Sequence, residues 1–489
     1  VTAPAPRLLV GLEVHLQLKT RTKCFSACPV STSGEPNALV DAVVLGLPGA
    51  LPVLNREAVR LAVRTGLALG CTIADVTKWD RKNYFYPDLP KGYQISQYDQ
   101  PLCVEGAVEI QDDAGGLKRI RIRRAHLEED TGKSFHDEQG TKSRIDFNRA
   151  GTPLLEIVSE PDIASAGEAE RYLEALREIV AYVGTSDGNM QAGNMRCEPN
   201  VNLVYENGDR TPIVEIKNLN SVHNVGLAIR FETQRQSTAY AERGETGQNT
   251  ARSTRGWDDV QGTTVHMRAK ESADDYRYFP EPDLPPLRLT RAWVEGEREA
   301  LPELPRARRA RYRATLGLSE YDAGVLTASR ALADWFEAVL PAPAGARDPK
   351  AAANWVSTEL LRHLNESETS LAAVGLAPQE LGELLDLVST GTINLKTARD
   401  LFRELVADGG SAATLVKQRG LAQVSDEGTL ETACQAAIAG QPQAAQEFRA
   451  GQEKAFGRLV GAALKALGGK GNPALVQATL RRLLAAPGG

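Results

Sequence analysis

Strict two-residue alternation between apolar and charged side chains constrains this chain more than any other feature. In Leu12-Glu-Val-His-Leu-Gln-Leu18, an extended strand sends Leu12, Val14, Leu16 and Leu18 to one face and Glu13, His15 and Gln17 to the other. Arg196-Cys-Glu-Pro-Asn-Val-Asn-Leu203 repeats the pattern, with Arg196, Glu198, Asn200 and Asn202 opposite Cys197, Val201 and Leu203, and Val214-Glu-Ile-Lys217 does so again. The segment from Ala107 to Ala125 reads as a hairpin that turns at Asp112-Asp-Ala-Gly-Gly116 and returns through the basic run Lys118 to Arg124. Such strands predict an antiparallel sheet with one apolar and one polar face. One amphipathic helix is clear: it starts near Ser165, carries Tyr172, Leu173, Leu176, Ile179, Val180 and Val183 on one side, and stops at Gly184.

With 489 residues the chain exceeds one ordinary core. Nineteen of its 27 aromatic residues and five of its six histidines precede residue 296, so the chemistry is expected there. Beyond Gly296 the text turns Ala/Leu/Arg/Glu-rich with helical spacing, broken at Pro341 to Ala346 and at Gly409-Gly410-Ser411. These breaks predict a catalytic domain over 1–295, a helical domain over 296–408 and a small helical tail over 409–489, with Pro280 to Pro286 as the seam between halves. No run of about eighteen apolar residues occurs, so no membrane span is expected. Six cysteines in this length, with no short apolar segment after a basic N-terminus, point to a reducing, cytoplasmic setting. The net charge of -6 argues against a general nucleic-acid coat, yet from Arg449 onward seven basic residues face one acid, Glu453. That tail reads equally as a grip on phosphate backbone or as a solvated helix face.

Glu13, His15, the run His126-Leu-Glu-Glu-Asp130, Glu156 and Glu198 supply oxygen and nitrogen donors of the kind Mg2+ takes. A solvated polar sheet face accounts for Glu13 and His15 equally well. The acids after Leu127 favour a cation, because unpaired carboxylates repel unless positive charge sits among them. Arg81 to Gln94 concentrates aromatics, prolines and cations and reads as an irregular loop, as does Asp275 to Asp283. Lys82, Lys91, Arg268 and Arg277 are their candidates for phosphate or nucleic acid, an aromatic-packed structural loop being the alternative. Thr131-Gly-Lys-Ser134 is no Walker A loop, since Leu127 stands where the first glycine belongs, so an ATP site must be of another type. Cys24 and Cys28 are half of a zinc site and read best as two reduced structural thiols.

From near Leu8 to near Leu484 the chain resembles the B subunits of aspartyl/glutamyl-tRNA amidotransferases. The resemblance rests on Gly11-Leu-Glu-Val-His15, Leu45-Gly-Leu-Pro-Gly-Ala-Leu-Pro52, Asp80-Arg-Lys-Asn-Tyr-Phe-Tyr-Pro-Asp88, His126-Leu-Glu-Glu-Asp130, Asp146-Phe-Asn-Arg-Ala-Gly-Thr-Pro153, Glu215-Ile-Lys-Asn-Leu-Asn220 and Asp275 to Pro285. It implies an α+β fold: an antiparallel-sheet cradle similar to glutamine synthetase, then two all-helical domains, the last meeting tRNA. It implies a ligase activity in which misacylated Glu-tRNA(Gln) or Asp-tRNA(Asn) is phosphorylated on its side-chain carboxylate with ATP and Mg2+. Ammonia, channelled from glutamine hydrolysis in the amidase (A) subunit, then displaces phosphate; a small C subunit braces the pair, and a non-discriminating aminoacyl-tRNA synthetase is a further expected partner. By position, Glu13, His15, Glu129 and Glu156 match the metal site, with Glu128 the neighbouring acid whose facing alternation leaves open. Lys82 and Lys91 match positions near the ammonia exit, and Lys82 suits phosphate equally. Two departures stand out. Asp41 and Val44 occupy the places of a second cysteine pair, which argues against zinc, and Glu198 stands where relatives carry Asp. A tRNA-docking scaffold with no chemistry of its own is the competing reading, but bare carboxylates do not attract a phosphate backbone. A metallohydrolase ranks last, because no H-E-x-x-H motif is present.

Overall fold

The computed structural model describes residues 6–31, 34–136, 142–269, 271, 273–342, 345–424, 426–468 and 470–485. Two compact units divide the chain, 1–305 and 306–489. The strands of the first that matter here are β1 (Arg7–Gln17), β2 (Thr72–Ile73), β3 (Asp80–Asn83), β4 (Tyr93–Ser96), β5 (Cys103–Gln111), β6 (Leu117–Glu129), β7 (Pro153–Ser159), β8 (Met195–Val204), β9 (Val214–Lys217), β10 (Ser253–Asp258), β11 (Thr263–Ala269) and β12 (Phe279–Pro280). Nine of them form one sheet in the order β11-β10-β9-β8-β1-β7-β6-β5-β2. All neighbours are antiparallel except β9 and β10.

The alternating strand β1 lies at the middle of this sheet, between β7 and β8. Val10, Leu12, Val14 and Leu16 are almost fully buried beneath three helices, α1 (Arg56–Ala68), α2 (Ala166–Val183) and α3 (Val222–Arg243). Each such side chain contributes about 1.5–3 kcal/mol on burial, which fixes the face that β1 turns inward. The helix ends follow their capping residues. The Ser165 hydroxyl accepts from the Glu168 amide, and Gly184 closes α2 at φ 80°. Ser221 and Gly244 do the same for α3. A fourth helix, α4 (Arg291–Glu299), packs on the same core through Trp293 and Val294.

Two sequence expectations change here. Arg81 to Gln94 is not irregular throughout: β3 and β4 pair antiparallel, β12 adds to the outer edge of β3, and only the connection between them is irregular. Nor does the proline-rich stretch from Pro280 divide the halves. Glu281 is buried against the Arg81 guanidinium at 2.7 Å, so the stretch is tied into the first unit. Lys133, in the Thr131-Gly-Lys-Ser134 run, lies on a short strand and not at a helix start.

Among the described residues the second unit is helical apart from a small pairing of Pro341–Ala342 with Gly345–Ala346 and a bridge between Val424 and Gly471; residues 343–344, within the expected break there, lie outside the described residues. It holds two apolar cores, one from Tyr312 to Val416 and one from Leu430 to Leu484. The first is continuous across Gly409 to Ser411, which forms a turn between two helices, because Ala412 and Val416 pack back onto it. Among the described residues no helix is long and apolar enough to cross a membrane.

Candidate active site

The polar face of the sheet floors a cleft of about 510 Å³. Register decides what meets there. His15 on β1 lies opposite Glu156 on β7, and Glu156 lies opposite His126 on β6. One step along the strand, Glu13 lies opposite Glu198 on β8; in the next row Asn200 faces Glu215 on β9. Paired residues share a face, so donors distant in sequence converge in rows.

Two clusters result, each with donor atoms within 4.8 Å of one another: His15, Glu128 and Glu156, and Glu13, Glu198 and Glu215. In the first, the His15 Nε2 stands 3.4 Å from Glu156 and 3.9 Å from Glu128, and the His126 Nε2 stands 3.3 Å and 3.6 Å from the same two acids. The Ser96 hydroxyl donates to Glu128 at 2.9 Å. Among the described residues the Nδ1 of His126 is buried without a hydrogen-bond partner. In the second cluster, the Lys217 ammonium lies 2.6 Å from Glu198, the Asn200 amide donates to Glu13 at 2.9 Å, and Thr254 donates to Glu215 at 2.8 Å.

Burial works against charge on His15, but Glu156, Glu198 and Glu128 outweigh it and raise its pKa to about 9. His126 is raised on the same balance, burial against Glu156 and Glu128. Burial likewise opposes ionisation of Glu156 and Glu128, yet His126 and His15 hold Glu156 well below, and His126 with Lys82 holds Glu128 below, the ordinary carboxylate range. Lys82 enters from β3 with its ammonium 4.8 Å from the centre of the Tyr276 ring and 5.8 Å from that of Tyr84. Burial would lower its pKa, but Glu128, Tyr278 and Glu156 lift it well above the usual lysine value.

The two acids whose facing the sequence left open now separate. Glu128 shares the polar face with His126, whereas Glu129 lies on the opposite face, beside buried Leu127, and does not reach the metal-type clusters. Its carboxylate pairs with the buried Lys91 ammonium and accepts from the Ile95 amide at 2.9 Å. Arg268 lines the cleft and donates to Glu271 at 2.9 Å, whereas Arg277 is exposed, its guanidinium 5.9 Å from the centre of the Phe85 ring. Cys24 is buried in the main core and Cys28 in a separate small cluster with Val44 and Ala150. Asp41 accepts from the Val44 amide at 2.9 Å, and the fully buried Lys23 donates to the Leu39 carbonyl at 2.6 Å nearby. Among the described residues no cysteine joins a group of three metal-ligating side chains.

Sequence reasoning counted His126 only within a run of possible donors and assigned no role to Glu215, Lys217 or the tyrosines around Lys82. A signal existed for the first three, since His126 shares parity with Glu128 and Val214-Glu-Ile-Lys217 alternates; the tyrosines converge only by folding.

Residues 8–295 match the GatB/GatE catalytic domain, and residues 334–484 match the GatB domain. The chain is 47% identical over 481 residues to the B subunit of the aspartyl/glutamyl-tRNA(Asn/Gln) amidotransferase of Myxococcus xanthus, covering 97% of this chain and 98% of that one. It is 49% identical to the B subunit of the Anaeromyxobacter dehalogenans enzyme, with 98% of each covered, and 48% identical to that of Geotalea daltonii, with 98% and 99% covered. Likeness of that extent spans both units, and the chain belongs to the family of aspartyl/glutamyl-tRNA(Asn/Gln) amidotransferase B subunits, a family of ligase subunits.

Proposed function

We propose that the chain activates the side-chain carboxylate of misacylated Glu-tRNA(Gln), Asp-tRNA(Asn) or both by ATP-dependent phosphorylation. Ammonia from a partner amidase (A) subunit then gives the amide, within a cytoplasmic complex that also holds a small C subunit and, at times, a non-discriminating synthetase. The observation that carries this reading is the pair of carboxylate clusters, one with His15, on the polar sheet face beside Lys82. A cradle of this kind is similar in plan to glutamine synthetase.

The donor set fits Mg2+: carboxylates and one imidazole, with His126 left half-satisfied next to them. His15, Glu128 and Glu156 would hold the ion, which supplies charge neutralisation for the transferred phosphoryl group. Because a ligating imidazole must be neutral, loading this site releases protons. Lys82, kept cationic by Glu128, would hold a phosphate oxygen, and Arg268 lines the same cleft. Glu13 and Glu198 extend the acidic row along the strand. Lys91 and Glu129 stand behind the sheet as a polar pair on the route we assign to ammonia. Zinc has no part in this reading.

The test is amide formation by the reconstituted complex with ATP, Mg2+, glutamine and each misacylated tRNA in turn. Glu13→Ala or His15→Ala is expected to abolish ATP-dependent amidation while glutaminase activity persists, and retained amidation in both would sink the assignment.

The functional division we propose places catalysis in residues 1–295, a helical domain at 296–408 and tRNA binding in the tail at 409–489, whose own core runs from Leu430 to Leu484. Within that tail Arg458, Arg481 and Arg482 are paired with acids, and Lys470 donates to the Gly420 carbonyl. Lys454 and Lys465 are exposed without such partners among the described residues. Each of Lys454→Ala and Lys465→Ala is expected to weaken tRNA binding and to lower the salt dependence of the affinity by about one ion. A salt titration of tRNA affinity that is unchanged in the double variant would remove the tail from the interface.

A further inference from the structure

The small apolar cluster of Cys28, Val44 and Ala150, flanked by Leu39, Val40 and Phe147, stands apart from the main core and has a fully buried lysine beside it. The Lys23 ammonium donates to the Leu39 carbonyl at 2.6 Å and reaches the Phe147 carbonyl at 3.5 Å. Among the described residues it makes no ion pair. Burial pulls its pKa below the usual lysine value, against Cys28 and Asp41, which pull it up. Packing alone does not call for a charge here, because a methionine fills a similar space without desolvating an ammonium. What the ammonium adds is a link between two loops far apart in sequence.

The surrounding backbone is built to hold that lysine. Its own amide donates to the Cys28 carbonyl at 2.9 Å, and the Leu39 amide donates to the Asn148 side chain at 2.8 Å. Gly151, at φ 80°, runs so close that a Cβ there would lie 3.2 Å from the Lys23 Cδ. From Leu39 the chain passes straight into a tight turn in which the Leu45 amide donates to the Asp41 carbonyl at 3.1 Å. Gly46 of this turn, at φ 66°, lies directly on Lys91, since a Cβ there would lie 2.7 Å from the Lys91 Cγ. The Lys91 ammonium in turn pairs with Glu129. A continuous path thus runs from the buried ammonium through the Leu39 carbonyl and the turn to the Lys91 stem.

We propose that Lys23 is a positioning residue for ammonia delivery: it fixes the Leu39 carbonyl, and through it the turn from Asp41 to Leu47, where Gly46 holds the Lys91 stem in line with Glu129. The inference rests on the route assigned to ammonia above. Lys23 touches no reacting atom. Ammonia both donates and accepts hydrogen bonds, so an ammonium and a carboxylate pass it on only while both stay within hydrogen-bond reach. Without the Lys23 ammonium the two loops lose their link, and the turn shifts against Lys91. Carboxylate activation is spared, because His15, Glu128 and Glu156 are set by strand register on the polar face.

The test compares amidation driven by glutamine with amidation driven by ammonium chloride in the reconstituted complex. Lys23→Met is expected to lower the glutamine-driven rate about 10-fold and to leave the ammonium-driven rate and the glutaminase activity within about 2-fold of wild type. Gly46→Ala, at an exposed turn remote from the buried ammonium, is expected to give the same split at about 3- to 10-fold, which keeps the idea testable if Lys23→Met does not fold. An equal fall in both rates in these variants would make the lysine merely structural and overturn the inference. So would an unchanged ratio, or a split that size-exclusion chromatography traces to loss of the amidase subunit. Lys91→Met separates this inference from the reading beneath it. A wild-type ratio in Lys91→Met would overturn the ammonia route itself, whereas a split in Lys91→Met with none in Lys23→Met or Gly46→Ala would overturn only the role of Lys23.

Discussion

Glu128→Gln is expected to weaken Mg2+ binding by at least about 10- to 100-fold and to lower ATP-dependent amidation in proportion, whereas Glu129→Gln leaves Mg2+ affinity unchanged. The reason is parity. Glu128 stands with His15 and Glu156 on the polar face, while Glu129 is committed to Lys91 behind it. The cost of Glu129→Gln falls on stability instead: it strands the ammonium of Lys91 in a site where both partners are 5% exposed, and losing one member of a buried pair costs about 3–5 kcal/mol. Calorimetric titration with Mg2+ and denaturant unfolding of the same two variants separate these effects. The opposite pattern, with metal lost in Glu129→Gln and kept in Glu128→Gln, would return Glu129 to the metal site.

Asp130→Asn is expected to destabilise the first unit by about 2–4 kcal/mol at neutral pH. The carboxylate is buried and accepts from Arg196 at 2.7 Å and from Gln17 at 2.9 Å, with Arg149 at 3.6 Å. Burial pushes its pKa up, but Arg196 and Arg149 prevail and hold it below the ordinary value of 3.8. A depressed carboxyl contributes stability above its unfolded value and loses it as pH falls through the folded one. The gap between wild type and variant should therefore persist from neutral pH down to about 3.8 and close only below that. Urea unfolding across this range checks it, and a gap that closed between pH 7 and 5 would assign the stabilisation to another group.

The polar and apolar faces of β1, the hairpin through Asp112 to Gly116, and both ends of α2 were legible because each depends on side chains a few residues apart. A period of two, a glycine-rich turn and a serine followed by an amphipathic run act locally. The β3–β4 hairpin was not legible for the opposite reason. Its strands carry Arg81 and Lys82, which look like loop residues until Glu281, 200 positions away, and Glu128 arrive to neutralise them.

The candidate site divides along the same line. The sequence by itself determined that Glu13 and His15 share a polar face and that acids cluster after Leu127, since both follow from backbone geometry and charge. Only the tertiary structure decided which acid of Glu128 and Glu129 joins His15, that His126 belongs beside Glu156, and that Lys91 takes Glu129 for itself. In a run where neighbouring acids occupy both parities and both are buried, alternation cannot choose between them. The choice is made by interstrand register, set by hydrogen bonds of β7 both to β6 and to the sequence-distant β1, and by the requirement that every buried charge meet its partner there.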